Sequence, residues 1–175
     1  ILEIGAGSGR LSECIMSINS SINYTICDIP PSIYIAYKRM KLRFPKKKIE
    51  LLIHIEDSDE LCQEIEKNDI SFLFPHQIEI IKQNLFTLSI AIDCIHEMDK
   101  ETLKYYFKYL DDITDKFYFS IWKKTKNWGS ASLFKKTENL CFESGDYQIP
   151  NNWKEVFKEE LKFPANQIAL GYEIK

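Results

Sequence analysis

The sequence predicts an α/β protein with a doubly wound, mostly parallel sheet. Short apolar runs rich in β-branched residues alternate with segments whose apolar residues recur at helical spacing. Strands that alternate with helices in this way form parallel sheets covered on both faces. The first apolar run, residues 1–4, is followed by three alternating glycines, Gly5, Gly7 and Gly9, and then by a helical pattern. A strand, a tight turn and a helix are therefore predicted at the start of the sequence.

Each further element is predicted from its own local pattern. The helix after the glycines is indicated by the spacing of Leu11, Cys14, Ile15 and Ile18. The other predicted strands are apolar runs at 23–27, 49–55, 70–74, 88–94, 117–122 and 167–174. Helical patterns occupy 32–43 and begin again near Ser58, Asp99 and Asn152. Ser58 and Asp99 are the predicted N-caps of their helices.

Two assignments involve a choice between alternatives. Of the two runs that compete for the third position in the sheet, we expect 70–74 to be central and 49–53 to be an outer strand. Glu155 follows Asn152 by three residues, a spacing similar to a capping box, and this predicts a helix. Its predicted inner face comprises Trp153, Val156, Phe157 and Leu161. Since only a short turn separates this helix from the final strand, that strand is predicted to pair antiparallel at the C-terminal edge.

Composition and charge are those of an ordinary globular protein. The 175 residues are 45% hydrophobic and 28% charged, which predicts one domain with a buried core. A net charge of −3 does not indicate nucleic-acid binding, and no run of 18 apolar residues predicts a membrane span. Five cysteines without C-x-x-C spacing predict reduced thiols in a cytoplasmic protein. Because the sequence begins without Met, we expect a single domain, 1–175, that lacks an N-terminal region.

The glycine turn has the properties of a cofactor-binding turn. Glycine tolerates positive φ and lets the backbone approach a ligand, and a helix N-terminus offers free N–H groups. The second predicted strand ends at Asp28, an acceptor-only carboxylate suited to vicinal hydroxyls. A dinucleotide fingerprint would place its third glycine one residue later, where Arg10 stands. A long charged side chain fits poorly there, which speaks against a nicotinamide cofactor.

The pattern Glu-x-Gly-x-Gly-x-Gly from Glu3 resembles the first motif of class I methyltransferases that use S-adenosylmethionine. That resemblance implies a Rossmann-like methyltransferase fold, with Asp28 binding the ribose hydroxyls. It further implies that Glu3 lies early in the turn and holds the ammonium group, and that Gln77 lies near the adenine. The implied cofactor-binding residues are Glu3, Gly5, Ala6, Gly7, Gly9, Asp28, Ile29, Gln77 and Asp93.

A narrower resemblance is to sugar O-methyltransferases of bacterial surface-polysaccharide gene clusters. It rests on three short matches, Asp28-Ile-Pro-Pro, Phe74-Pro-His and His96-Glu97-Met98. The resemblance implies methyl transfer to a hydroxyl of a sugar or glycan precursor. His96 suits the role of general base because histidine titrates near neutral pH. Glu97 would orient His96 or bind sugar hydroxyls.

Other interpretations of these residues remain open at this point. His96 and Glu97 can also be the start of the next helix, with His54 and His76 as the other histidines. The histidine and cysteine spacing does not predict a zinc site. Asp93 and Glu97 give only a slight indication of magnesium, and no metal is predicted. Trp128 and Tyr147 are candidates either for sugar stacking or for burial, whereas Trp122 and Trp153 are expected in the core.

Three other functions stay as alternatives to sugar O-methylation. With the same cofactor, the acceptor can be another small metabolite or a protein. A nicotinamide-dependent enzyme keeps the same sheet, although Arg10 speaks against it. A catalytically silent methyltransferase-like scaffold would have no need of the intact glycines and Asp28.

Overall fold

The computed structural model describes residues 1–82, 84–122, 147–162 and 167–175. Within these ranges, eight strands form one sheet. The strands are β1 (Leu2–Ile4), β2 (Tyr24–Cys27), β3 (Ile49–Leu51), β4 (Ile70–Leu73), β5 (Ser89–Ala91), β6 (Lys116–Trp122), β7 (Lys154–Glu160) and β8 (Gln167–Glu173). The α-helices are α1 (Arg10–Ile18), α2 (Pro30–Arg43), α3 (Ser58–Lys67) and α4 (Lys100–Ile113). Two 3₁₀ helices occupy Pro75–Ile80 and Ile95–Glu97.

The strand order is β3-β4-β2-β1-β5-β6-β8-β7. Strands β1 to β6 pair in parallel, whereas β8 pairs antiparallel with both β6 and β7. The chain runs from β1 toward β2 and then returns to place β5 on the other side of β1. Such a reversal opens a crevice beyond the carboxyl ends of the two strands, where α/β sheets bind ligands. The predicted fold class is confirmed, as are the central position of β4 and the outer position of β3.

Helices cover both faces of the sheet. On one face, α1 and α2 contribute Met16, Ile33, Ala36 and Met40 to a core with residues of β2, β3 and β4. On the other face, an apolar stripe on each of α3 and α4 packs in a second core with residues of β1, β2, β4, β5, β6 and β8. The buried stripe of α4 consists of Leu103, Tyr106, Phe107, Leu110 and Ile113. Four members of that stripe were predicted from their helical spacing.

The helix starts follow simple local chemistry. Helix α2 begins at Pro30 and Pro31, whose fixed φ suits the first helical turn. In α4, Asp99 is the N-cap and accepts a hydrogen bond from the Thr102 N–H, as predicted. The predicted cap Ser58 is wrong by one residue. Asp57 caps α3 by accepting from the Glu60 N–H, and Ser58 is the first helical residue.

The helix predicted from Asn152 is wrong, because residues 154–160 form strand β7. All seven residues of β7 are exposed, and five are charged. The strand therefore lacks the alternation of buried and exposed residues that distinguishes a strand from a helix in sequence. Val156 is 56% and Phe157 39% exposed, which removes both from the predicted inner face. Charged side chains on an outermost strand discourage pairing with another chain. Because β7 is outermost, β8 is the second strand from the C-terminal edge.

Trp153 is buried just before β7, as predicted for a core residue. Its ring packs within 6.1 Å, centroid to centroid, of Phe107, Phe117 and Tyr172. Its Nε1–H donates to Asp111 Oδ1 at 2.7 Å. Trp153 therefore fixes the segment just before β7 to helix α4. Trp128, Cys141 and the polar loop after Trp122 lie outside the described residues.

In the described part of the chain, no helix combines the length and the apolar character needed to cross a membrane.

Candidate functional site

The glycine turn connects β1 to α1 at the carboxyl end of the sheet. Gly5, Gly7 and Gly9 have φ values of 70°, 56° and 74°, the left-handed region that side chains rarely adopt. Gly9 is the N-cap of α1, and its N–H donates to the Ala6 carbonyl. The predicted strand–turn–helix unit is therefore present, with its backbone wound tightly enough to require glycine at all three positions.

The three glycines have different surroundings. A Cβ on Gly5 would lie 2.6 Å from Cys94 Cβ, and one on Gly9 would lie 3.1 Å from Ala36 Cβ. These two positions are glycine because neighbouring elements pack against them. A Cβ on Gly7 would meet no atom within 4 Å. Gly7 thus exposes bare backbone to an open space, which is the position where a ligand can approach the turn.

Asp28 links the turn to the end of β2. Its Oδ2 accepts a hydrogen bond from the Gly7 N–H at 2.7 Å, and its Oδ1 accepts from the Ile29 N–H at 2.7 Å. Each carboxylate oxygen has two lone pairs, so both can accept a further hydrogen bond. Asp28 is half-buried and Ile29 is 56% exposed beside it. The structure brings Gly7, Asp28 and Ile29 together, as predicted from the strand ends.

Glu3 lies in strand β1 and not in the turn, which corrects the expected position. Its side chain is 3% exposed and accepts a hydrogen bond from the Tyr24 hydroxyl at 2.9 Å. Burial raises the pKa of Glu3 to about 7, while hydrogen bonds from Tyr24 and Ser12 lower it and the charge of Asp28 raises it. Glu3 is therefore a buried acid beneath the turn that changes its charge near neutral pH.

Gln77 does not present its amide to a ligand, which corrects its predicted role at the adenine. Its Nε2 donates to the carbonyls of Leu52 and Ile55, each at 2.8 Å, and its Oε1 accepts from the Phe74 N–H. The side chain is 1% exposed. Gln77 thus joins the end of β4 to the loop after β3, because its three side-chain hydrogen bonds are all made to backbone groups of these two segments.

The segment after β5 carries the other predicted site residues. Strand β5 ends at Ala91, earlier than predicted, and Asp93 follows with φ 56°. His96 and Glu97 lie in the short 3₁₀ helix Ile95–Glu97, which is separate from α4. The alternative that they begin the next helix is therefore wrong for the start of α4, whereas the packing role that it gave to His96 is present, since the ring is buried against Trp122. The segment itself lies beside the glycine turn at Cys94, which packs on Gly5 and donates from Sγ to the Ile4 carbonyl at 3.2 Å.

His96 is more deeply buried than a solvent-facing base. Its side chain is 2% exposed, and its Nε2 lies 3.7 Å from Asp93 Oδ1. The ring stacks on Trp122 with centroids 3.9 Å apart. Burial lowers the pKa of His96, and the nearby Asp93 carboxylate opposes this effect. His96 is therefore neutral at neutral pH. Glu97 is exposed, and partial burial followed by the charge of Asp93 raises its pKa.

Acidic groups predominate around this part of the turn. The charges of Asp28, Glu97, Glu3 and Asp93, added to burial, raise the pKa of the Cys94 thiol. The thiol is therefore protonated and unreactive at neutral pH. The same carboxylates favour a ligand with positive charge. Among the described residues, no three His, Cys, Asp or Glu side chains form a group that could hold a metal ion.

Several residues of the site were not predicted from the sequence. Trp122 was assigned to the core, but it is half-buried and stacks on His96. Gln167, 74 positions from Asp93, donates from Nε2 to Asp93 Oδ1 at 2.6 Å. Tyr147 is 1% exposed, so it belongs to the core and does not contact sugars. These contacts are tertiary, and no local motif signals them.

Comparisons with solved structures find proteins that share this fold, and methyltransferases are among them. The chain superposes over 99% of its length on PH0226 protein from Pyrococcus horikoshii OT3, with a TM-score of 0.68, 13% identity and 81% of that chain covered. For magnesium protoporphyrin IX methyltransferase (ChlM) from Synechocystis PCC 6803 with bound SAH, the TM-score is 0.63 at 12% identity, with 98% of this chain and 72% of that chain covered.

A third solved structure, the mitomycin 7-O-methyltransferase MmcR, gives a TM-score of 0.60 at 8% identity over 98% of this chain. The chain spans about half the length of that enzyme, 48%. No protein-family model and no curated protein matches the sequence. The chain therefore has the fold of these methyltransferases, a Rossmann-like sheet with an antiparallel C-terminal edge.

Proposed function

We propose that this chain binds S-adenosylmethionine at the glycine turn and transfers its methyl group to a hydroxyl of a sugar or glycan precursor. The observation that carries the proposal is the contact of Asp28 with the Gly7 N–H at 2.7 Å. It joins the exposed backbone of the turn to a carboxylate that retains capacity for two ribose hydroxyls. Both groups lie at the strand ends beside the switch point of the sheet.

The charge of the site supports this cofactor over a dinucleotide. S-adenosylmethionine carries a sulfonium and an ammonium group, whereas a dinucleotide carries a pyrophosphate. Four carboxyl groups, those of Glu3, Asp28, Asp93 and Glu97, act on the space around Cys94. Such a field attracts the first ligand and repels the second.

Different residues of the site would bind different parts of the cofactor. The backbone of Gly5, Ala6, Gly7 and Gly9 would receive the methionine part, and Asp28 the ribose. Ile29, which is exposed beside Asp28, offers an apolar surface to the adenine. Glu3 would support the ammonium group from beneath the turn, directly or through a water molecule.

Methyl transfer requires alignment and removal of one proton. When bound, the cofactor supplies an activated methyl group whose bond to sulfur breaks as the acceptor oxygen attacks in line. His96 would remove the hydroxyl proton. Its Nδ1 is buried and has no hydrogen-bond partner among residues 1–82, 84–122, 147–162 and 167–175. Because burial lowers the pKa of His96, the ring would be neutral and able to take up a proton, and the bound acceptor would have to displace part of the cover over Nδ1 to reach it.

A sugar acceptor is supported by the three short sequence matches and by Glu97. Glu97 is exposed next to His96, and its raised pKa lets it exchange between acceptor and donor as the pH falls. A carboxyl group of this kind is suited to hydrogen-bond the hydroxyls of a sugar ring. Other small metabolites and proteins are the alternative acceptors.

An acceptor screen with radiolabelled S-adenosylmethionine tests the proposal. We expect labelled product with nucleotide sugars or glycan precursors, and loss of at least about 100-fold in turnover for His96→Ala, the usual range for a general base. His54→Ala is the matched control, since His54 is exposed. Full turnover by His96→Ala would contradict the role of His96 as the base. Label found only in a protein or another metabolite would contradict a sugar acceptor.

A further inference from the structure

Gln167 connects the C-terminal strand pair to the segment that carries His96. It is the first residue of β8 and is 5% exposed. Its Nε2 donates to Asp93 Oδ1 at 2.6 Å. The glutamine lies 74 positions after the aspartate in sequence, so the bond ties two remote parts of the chain together at one end of the sheet.

Asp93 is held in place by its backbone as well. Its φ of 56° is in the left-handed region, which aspartate tolerates better than most residues. Its N–H donates to the Ser120 hydroxyl at 3.0 Å. With the backbone fixed to β6 and Oδ1 fixed by Gln167, the carboxylate has a set direction, although 59% of its side chain is exposed.

The carboxylate that Gln167 holds faces the imidazole of His96. Asp93 Oδ1 lies 3.7 Å from Nε2, an ion-pair distance that is longer than a hydrogen bond. A negative charge on this side favours the proton on Nε2 and leaves the lone pair on Nδ1. Nδ1 is the buried atom without a partner in the described part of the chain.

The residue paired with Gln167 in the sheet also covers the His96 imidazole. In the pairing of β6 with β8, Trp122 is directly opposite Gln167. The Trp122 ring stacks on His96 at an interplanar angle of 21°. One residue pair at the end of these strands therefore supplies both the cover of the ring and the support of its carboxylate.

We propose that Gln167 is a positioning residue that acts through Asp93 to fix the orientation and the protonated nitrogen of His96. The proposal rests on the proposed function in taking His96 as the base, but the state of the imidazole can be measured without turnover. If Gln167 only stabilises the start of β8, its removal changes the free energy of unfolding and leaves the titration of His96 unchanged.

The segment that carries His96 has two charged residues near the imidazole, Asp93 and Glu97. Strand β6 contacts the imidazole through Trp122, which is uncharged. Asp93 is the charged group that opposes the effect of burial on the pKa of His96. Release of Asp93 into solvent should lower the midpoint of His96 titration. For unit charges 3.7 Å apart under water-like screening, the loss corresponds to roughly one pH unit or slightly less.

The experiment is an NMR titration of the imidazole in the complete chain. Replacing the exposed His54 and His76 by glutamine leaves His96 as the one histidine to follow. In this background we expect Gln167→Leu to lower the midpoint by about half to one unit and to shift the ¹⁵N signals toward a mixture of tautomers. Gln63→Leu, a glutamine on the exposed side of α3, is the matched control and should cause no shift.

Asp93→Asn provides the second arm, and asparagine suits the left-handed backbone at that position. If Gln167 acts through Asp93, adding Gln167→Leu to Asp93→Asn causes no further shift. An unchanged midpoint and tautomer in folded Gln167→Leu, or fully additive shifts in the double variant, would overturn the proposal.

Calorimetry with S-adenosylhomocysteine separates this proposal from the proposed function. Gln167→Leu should still bind it, with at most a severalfold loss, because the hydrogen bond of Gln167 is made to Asp93 and not to the glycine turn or Asp28. In turnover, kcat should fall about tenfold while KM stays constant. Absence of binding by the wild-type chain would contradict the proposed cofactor, whereas the His96 titration would still decide the role of Gln167.

Discussion

Replacing Glu3 with glutamine should change how the stability of the protein depends on pH. Glutamine has nearly the same shape, keeps an oxygen that can accept from the Tyr24 hydroxyl, and carries no charge at any pH. The wild-type carboxyl, in contrast, is 3% exposed and has its pKa raised to about 7, mainly by burial. The variant therefore removes one buried titration and leaves the packing beneath the glycine turn intact.

The direction and size of the effect follow from the pKa of Glu3. In the unfolded chain the carboxyl has its ordinary value of 4.5, below the folded value of about 7. Between these values the native state binds more protons than the unfolded state, so stability falls as the pH rises and levels off above about 7. At 1.36 kcal/mol per unit, the decline is about 2 to 3 kcal/mol between about pH 5 and pH 8.

Urea unfolding followed by circular dichroism at several pH values measures this decline. The wild-type free energy of unfolding minus that of Glu3→Gln should fall by about 2 to 3 kcal/mol from about pH 5 to pH 8. All other titrating groups are common to both proteins and cancel in the difference. Glu50→Gln, on an exposed glutamate of β3, is the control and should give a constant difference. A constant difference for Glu3→Gln as well would refute the buried, neutral carboxyl.

Two further substitutions test the packing of the site and of the C-terminal region. Gly5→Ala should destabilise the protein by at least about 2 kcal/mol more than Gly7→Ala, because both have positive φ but only Gly5 would bring a Cβ to 2.6 Å from Cys94. Equal losses in thermal unfolding would contradict this account. Trp153→Phe should cost about 1 to 3 kcal/mol by leaving Asp111 without its indole donor; a loss below about 0.3 kcal/mol in urea unfolding would show that this bond contributes little.

The parallel part of the sheet, β1 to β6, and the glycine turn were predictable from the sequence because local patterns determine them. The alternation of apolar runs and helical stripes gave the parallel sheet, and the glycine spacing placed the turn between β1 and α1. Asp28 was predictable for the same reason, since it directly follows a buried strand whose end lies beside that turn. In each case the residues that decide the structure are neighbours in sequence.

The remainder depended on contacts between remote residues. Strand β7 was predicted as a helix because its seven exposed residues have no buried face, and its pairing with β8 determines the structure instead. The hydrogen bonds of Gln77 to the loop after β3 depend on how β3 and β4 pair. The bond from Gln167 to Asp93 similarly requires β8 to lie beside β6. None of these partners is marked by a local sequence pattern.

The binding of S-adenosylhomocysteine, measured by calorimetry, tests the central claim most directly. We predict saturable binding by the wild-type chain, affinity at least tenfold lower for Asp28→Ala, and affinity within about twofold of the wild type for Asp57→Ala. Asp57 is the matched control because it also accepts a backbone N–H at a helix start, that of α3. NAD should give no heat of binding under the same conditions. Absence of S-adenosylhomocysteine binding by the folded chain, or equal affinity for Asp28→Ala, would contradict the account.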